Sequence, residues 1–187
     1  MLRRQRRSGL IIGLLLPLAT IAQVDAADDT GTAIRLAGGA LTMKAPKSWK
    51  KKDPRFRIIQ YEFAIASSDG KTAPARVTIM GAGGSIRANI DRWKSQFAKL
   101  SRSGESAFKV GKVAVTLVDL EGTFRERSGG PFSGAPEKLR TDYQMLGAII
   151  VTPDKGQYFI KIIGPKATLA KQDDALKNML KAMKFGG

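Results

Sequence analysis

The spacing of apolar residues changes period along the chain, and the changes mark out its elements. Phe56 to Ala66 alternates, with Ile59, Tyr61, Phe63 and Ile65 on one face and Ile58, Gln60 and Glu62 on the other, which reads as a strand. Asp69-Gly70 is a turn signal, and Ala75 to Met80 returns as the next strand. After Gly81-Ala82-Gly83-Gly84 the period becomes helical. Ile86, Ile90, Trp93, Phe97 and Leu100 form one narrow stripe, predicting a helix over about 86–100 with Ser85 as its N-cap and Ser101 to Ser106 as the loop beyond. Val113 to Phe124 carries apolar residues on both faces, Val113, Val115 and Leu117 opposing Val118 and Leu120, so it is expected to be a strand covered on both sides.

Tyr143 to Thr152 and Gln157 to Gly164 read as a hairpin closed by Pro153-Asp154-Lys155-Gly156. A second helix is predicted over about 167–184, burying Leu169, Leu176, Met179, Leu180 and Met183. Two short strands, Ala33 to Leu36 and Ala40 to Lys44, meet at Gly38-Gly39, and Pro46 to Trp49 leads from them into a basic connection. Ser128 to Pro136, rich in Gly, Ser and Pro, is expected to be a surface loop. Hairpin-linked strands interrupted by two helices imply a mainly antiparallel sheet with a helix on each side, an α/β/α sandwich.

The first residues follow a different rule. Arg3, Arg4, Arg6 and Arg7 precede an apolar run from Leu10 to Ala22, and Val24-Asp25-Ala26 offers a cleavage site after Ala26. The run is shorter than the roughly 20 residues that span a bilayer, and no Cys follows it to carry a lipid anchor. The expected organisation is a signal peptide over 1–26, a short free segment over 27–32 and a single α/β domain over 33–187. The mature chain is then secreted or periplasmic, without a transmembrane helix.

Composition narrows the chemistry. The chain has neither cysteine nor histidine. This removes thiol nucleophiles, thiolate metal sites and histidine bases together, so no metal or cofactor is expected and catalysis, if any, would rest on carboxylates. The formal charge of +16 becomes +13 once the leader, with four Arg and one Asp, is removed, leaving 28 basic and 15 acidic residues.

Several stretches resemble a known pattern: Ala45 to Trp49, Tyr61 to Ile65, Ile79 to Ser85, Asn89 to Trp93, Gln96-Phe97, Tyr143 to Ile150 and Tyr158 to Pro165. In this order they resemble a group of exported bacterial proteins of unknown activity, common in planctomycetes, with a Mog1/PsbP-like fold. The resemblance covers roughly residues 40 to 185. It implies an α/β/α sandwich serving as a binding or accessory module, and no particular reaction.

Four clusters are candidates for function. Gly83, Gly84, Ser85 and Arg87 lie at a strand-to-helix joint whose N–H groups and helix end favour an anion, although the same glycines fit a tight connection beneath a helix. No dinucleotide or Walker fingerprint completes the motif. Asn89, Arg92, Trp93 and Gln96 border the apolar stripe and could line a cleft together with Asp119. Alternatively, Asn89 and Gln96 tie loops to the helix while Arg92 pairs with Asp119. Asp119 and Glu121 share one strand face, which leaves open a carboxylate-dependent hydrolase or simple salt bridges to Lys161 or Arg92. Finally, seven basic residues and one Asp lie between Lys44 and Arg57, among them Lys50, Lys51, Lys52 and Arg55. They suit either a solvated loop or an envelope or extracellular polyanion. Export makes nucleic acid an improbable partner.

Overall fold

The computed structural model describes residues 31–127 and 136–186. The expected signal peptide over 1–26, most of the expected free segment over 27–32 and the expected Ser128–Pro136 loop up to residue 135 lie outside the described residues. β1 (Ala33–Leu36) and β2 (Leu41–Lys44) form a hairpin around a single 3-10 turn, Ala37–Gly39. β3 (Trp49–Lys52), β4 (Ile59–Ile65) and β5 (Ala75–Ala82) follow, then α1 (Ile86–Lys94). Four long strands come next: β6 (Phe97–Val110), β7 (Val113–Arg127), β8 (Glu137–Val151) and β9 (Gln157–Pro165). The chain ends with α2 (Lys166–Leu169), α3 (Gln172–Lys181) and β10 (Lys184–Phe185). Seven strands make one sheet in the order β3-β4-β5-β9-β8-β7-β6, and β1, β2 and β10 make a second, smaller one. Every pairing is antiparallel.

The large sheet buries both faces, giving the α/β/α sandwich expected from the apolar pattern of Val113 to Phe124. Val113, Val115, Leu117, Ile160 and Ile162 face α2, α3 and the small sheet, where Leu169, Leu176, Met179, Leu180 and Met183 complete a core. Val118, Leu120, Met145, Ile149 and Phe159 face the other way and are covered by Ile90 and Trp93 of α1 and by Phe97. Gly147 in β8 makes that second contact possible. A Cβ built on it would lie 2.3 Å from the Trp93 ring, so the indole occupies the space of the missing side chain. Phe159 meets the same ring edge-on at a centroid distance of 5.1 Å.

The structure corrects five of these expectations. The helix predicted over 86–100 ends at Lys94, where Ser95 caps it through its N–H to Asp91. Phe97 and Leu100 do pack with Trp93, but from β6; Phe97 stacks edge-on with Phe124 across the ladder at 5.5 Å. Ser101 to Ser106 is strand rather than loop, because its backbone pairs with β7 while its side chains face water, leaving no apolar alternation to read. The basic connection contains β3, whose only strongly buried side chain is Trp49; its Nε1 donates to Gln172 Oε1 at 2.9 Å. In β4 a bulge between Ile59 and Tyr61 turns Ile59 away from the face of Tyr61, Phe63 and Ile65, towards α1. The last helix is broken at Ala170-Lys171, and its predicted end forms β10 against β2.

Seating a nine-residue helix by one aromatic contact gives a sharp expectation. Gly147→Val should destabilise the fold by about 1–3 kcal/mol through overpacking against Trp93, read as a lowered urea midpoint with an unchanged m-value. An unchanged midpoint would show that Trp93 is not held there.

Candidate functional site

Three of the five residues expected to line a cleft do so. Arg92, Trp93 and Gln96, at the C-terminal end of α1, overhang a cavity of about 290 Å³ against β4, β5 and β9. Its apolar walls are Phe56, Ile58, Ile59, Met80, Trp93 and Phe159, and its polar members are Arg76, Thr78, Arg92, Gln96 and Lys161. Asn89 is buried beside the joint instead, its Nδ2 donating to Gly83 O at 2.9 Å and Ser85 O at 3.0 Å. Asp119 belongs to the opposite face of the sheet, with Leu117 and Glu121, so it is not part of this cleft and does not pair with Arg92. Strand alternation decides this: odd-numbered positions from Val113 to Glu121 look towards α2 and α3.

Lys161 is the cavity's central polar group, and sequence reasoning cast it only as a salt-bridge partner. On β9 it stands between Phe159 and Ile163 on the α1 face, a cation interrupting an otherwise apolar row. That interruption was the available signal. Its Nζ donates to Gln96 Oε1 at 2.9 Å, a neutral acceptor. Burial, with Arg76 nearby adding a like charge, pushes its pKa down to about 8. Arg76 is itself neutralised by Glu62, donating from Nε at 2.8 Å and from the other side of the fork at 2.9 Å. The Arg55 N–H adds a third bond to Glu62 at 3.0 Å. The hydrogen bonds from Arg76 hold the Glu62 carboxyl below the ordinary glutamate value against the opposing pull of burial.

At the glycine joint, Gly84 alone of the four residues 81–84 has a left-handed backbone, φ 82°. Ser85 caps α1 as expected, its Oγ accepting from Ala88 N at 3.1 Å. Arg87 is committed to Asp91, with Glu105 at 3.5 Å, so its charge is spent within the protein. The Gly83–Arg87 cluster is therefore a tight helix start, closed by the Asn89 amide.

The carboxylate pair is locked by cations other than those expected. The Arg102 guanidinium reaches Asp119 and, from Nε at 2.8 Å, Glu121. Gln144 donates to Asp119 at 2.9 Å, and Lys166 to Glu121 at 2.6 Å. Burial raises the Glu121 pKa, but the bonds from Lys166 and Arg102 outweigh it and leave the group below its ordinary value. A glycosidase acid needs the reverse shift. The geometry thus goes against the hydrolase alternative.

Lys50, Lys51 and Lys52 occupy the edge strand β3, all exposed, and none forms an ion pair among the described residues. Opposite Ala64 and Glu62, Lys50 and Lys52 lie on the α1 face and flank the cleft, while Lys51 is turned to the other side. Arg55 is exposed, with its Nε 3.8 Å from Glu62.

Comparison with solved structures finds similarity to LpqN, a protein involved in cell envelope biogenesis of Mycobacterium tuberculosis. The TM-score is 0.53 and the identity 11%, over 86% of this chain and 88% of that one. The chain is also similar to the Ran-binding protein Mog1p of Saccharomyces cerevisiae, with TM-score 0.44 and 14% identity over 82% and 94% of the two chains. A third similar structure is cyanobacterial PsbP from Synechocystis sp. PCC 6803, with TM-score 0.46 and 9% identity over 91% and 99%. No protein-family model and no curated protein matches the sequence. The LpqN likeness, over most of both chains, shows a shared fold. Among the described residues no helix is long and apolar enough to cross a membrane.

The Glu62–Arg76 pair defines one wall of the cleft, and its contribution should depend on pH. Because the folded-state pKa is depressed, the stabilisation is present above the unfolded value and is lost as pH falls through the folded one. Glu62→Gln should therefore lower stability at pH 7, by roughly 1–3 kcal/mol for a charge-assisted bond. The gap to wild type should close below pH 4 in denaturant titrations. A gap independent of pH would assign the effect to packing.

Proposed function

We propose that this chain is an exported, non-enzymatic binding or accessory domain drawn to anionic partners of the cell envelope or the exterior. The observation that carries this reading is the row Lys50-Lys51-Lys52, exposed on a sheet edge without a carboxylate partner. Asp53 directly follows the row, whereas many of the other acids are held by cations. Glu62 is held by Arg76, Asp91 by Arg87, Glu105 by Lys94, Asp119 and Glu121 by Arg102, Glu126 by Arg140 and Glu137 by Arg125. The excess positive charge is thus left on the surface, where it acts on anything acidic within a Debye length of about 8 Å at physiological salt. The leader favours a partner outside the cytoplasm, and the absence of His, Cys and a free carboxylate pair supports a role without catalysis.

Retention on heparin and on phosphatidylglycerol vesicles tests this. It should fall steeply with salt. Neutralising Lys50, Lys51, Lys52 and Arg55 to Gln should weaken vesicle binding by roughly two to three orders of magnitude, at about 1 kcal/mol per cation. Equal retention of the quadruple variant would remove the edge row as the contact.

A further inference from the structure

The cleft under α1 combines two features that a protein surface seldom leaves together. The first is exposed apolar area: Phe56 at 49% and Ile58 at 63% exposure stand at its rim, continuous with Ile59, Trp93 and Phe159 inside. The second is uncompensated positive charge. The Lys161 ammonium has three donors and uses one, on the neutral Gln96 amide. No carboxylate is free to serve it, because both oxygens of Glu62 are taken by Arg76, with the Arg55 N–H on one of them. Arg92, on the same cavity, has no carboxylate partner for its guanidinium among the described residues. A half-buried cation without an anion is costly.

One class of ligand answers both features. We propose that this cavity binds an amphiphilic acid, its carboxylate accepting from Lys161 and Arg92 and its acyl chain lying along Trp93, Ile59, Ile58 and Phe56. The volume of about 290 Å³ holds roughly ten atoms of water size, the head and first part of an acyl chain. A longer chain leaves past Phe56 and Ile58. Lys50 and Lys52, on the same face, add positive potential at the approach. This site is distinct from the lysine edge proposed above and does not depend on it. It takes single molecules, where the edge takes a surface.

Decanoate, kept below its micellar concentration, is the probe, with 1-decanol as the uncharged chain and acetate as the chainless head. Calorimetry and Trp fluorescence on the full chain should show one decanoate per molecule, decanol at least tenfold weaker and acetate silent. Lys161→Met and Arg92→Gln should each weaken decanoate at least tenfold and leave decanol unchanged. Arg92 is exposed and its variant keeps the core intact, so loss of binding there is not loss of fold; thermal melts of both variants check this. The affinity for decanoate should also fall between pH 7 and 9 as Lys161 loses its proton, and Lys161→Met should abolish that fall. The charged groups facing Lys161 are Arg92 and the Arg76–Glu62 pair. Equal affinity for decanoate and decanol, no effect of either variant, or a signal that appears only with micelles or vesicles would each overturn the proposal. Because heparin and vesicle retention reads the lysine edge, failure of one experiment leaves the other standing.

Discussion

Trp93 rests on the bare backbone of Gly147, and the placement of everything on that face of the sheet follows from this contact. α1 has only nine residues, fewer than an isolated helix needs to be stable in water, so it exists by virtue of what it packs on. The sheet offers it a single deep seat. On β8 a side chain is missing at Gly147, and on the neighbouring β9 Phe159 stands ready for an edge-on contact. With the indole sunk there, the last turn of α1 hangs over Lys161, which pairs across the ladder with Gly147 itself. Arg92 and Gln96 are carried into the cavity by the same movement.

Charge is distributed by a related logic. On the sheet, Glu62, Asp119, Glu121 and Glu126 are each closed by a cation from a neighbouring strand or helix, and Arg102 closes on two. Such pairs tie these carboxylates to cations and leave the row Lys50-Lys51-Lys52 to the solvent. A row of lysines on β3 has a second physical effect. It discourages another strand from adding to that edge of the sheet. The opposite edge, β6, is defended differently, by a length of polar and charged side chains with little apolar surface to attract a partner.

The two faces of the sheet therefore have separate characters. On the α2 and α3 side, the core from Ile34 to Met183 is large and continuous, and its polar edge is a closed network around Asp119 and Glu121. On the α1 side, a smaller cluster leaves an opening where β4 bulges at Gln60 and turns Ile59 into the cleft. The bulge, which turns Ile59 into the cleft, and the end of the short helix at Lys94 together shape the cavity.

Most of the elements were legible in the linear pattern, because burial on one or both faces of a strand writes its period directly into the residue types. The two-sided burial of Val113 to Phe124, the hairpin ending at Gly156 and the apolar face of the C-terminal segment are all of this kind, as are the Ser85 cap and the contribution of Arg92, Trp93 and Gln96 to a cleft. The pattern misled where a side chain can reach the same core from two backbone conformations. Phe97 and Leu100 continue the stripe of α1 in spacing and in destination, yet they are strand. Polar edge strands such as β3 and the middle of β6 carry no apolar period at all, since their stability comes from backbone pairing with a neighbour distant in sequence. Only tertiary structure could decide which side of the sheet Asp119 and Arg92 fall on, which cation closes each acid, and that Lys161 is left facing a neutral amide. Those outcomes depend on register and on a single bulge, and a one-residue shift in either reverses every side chain beyond it.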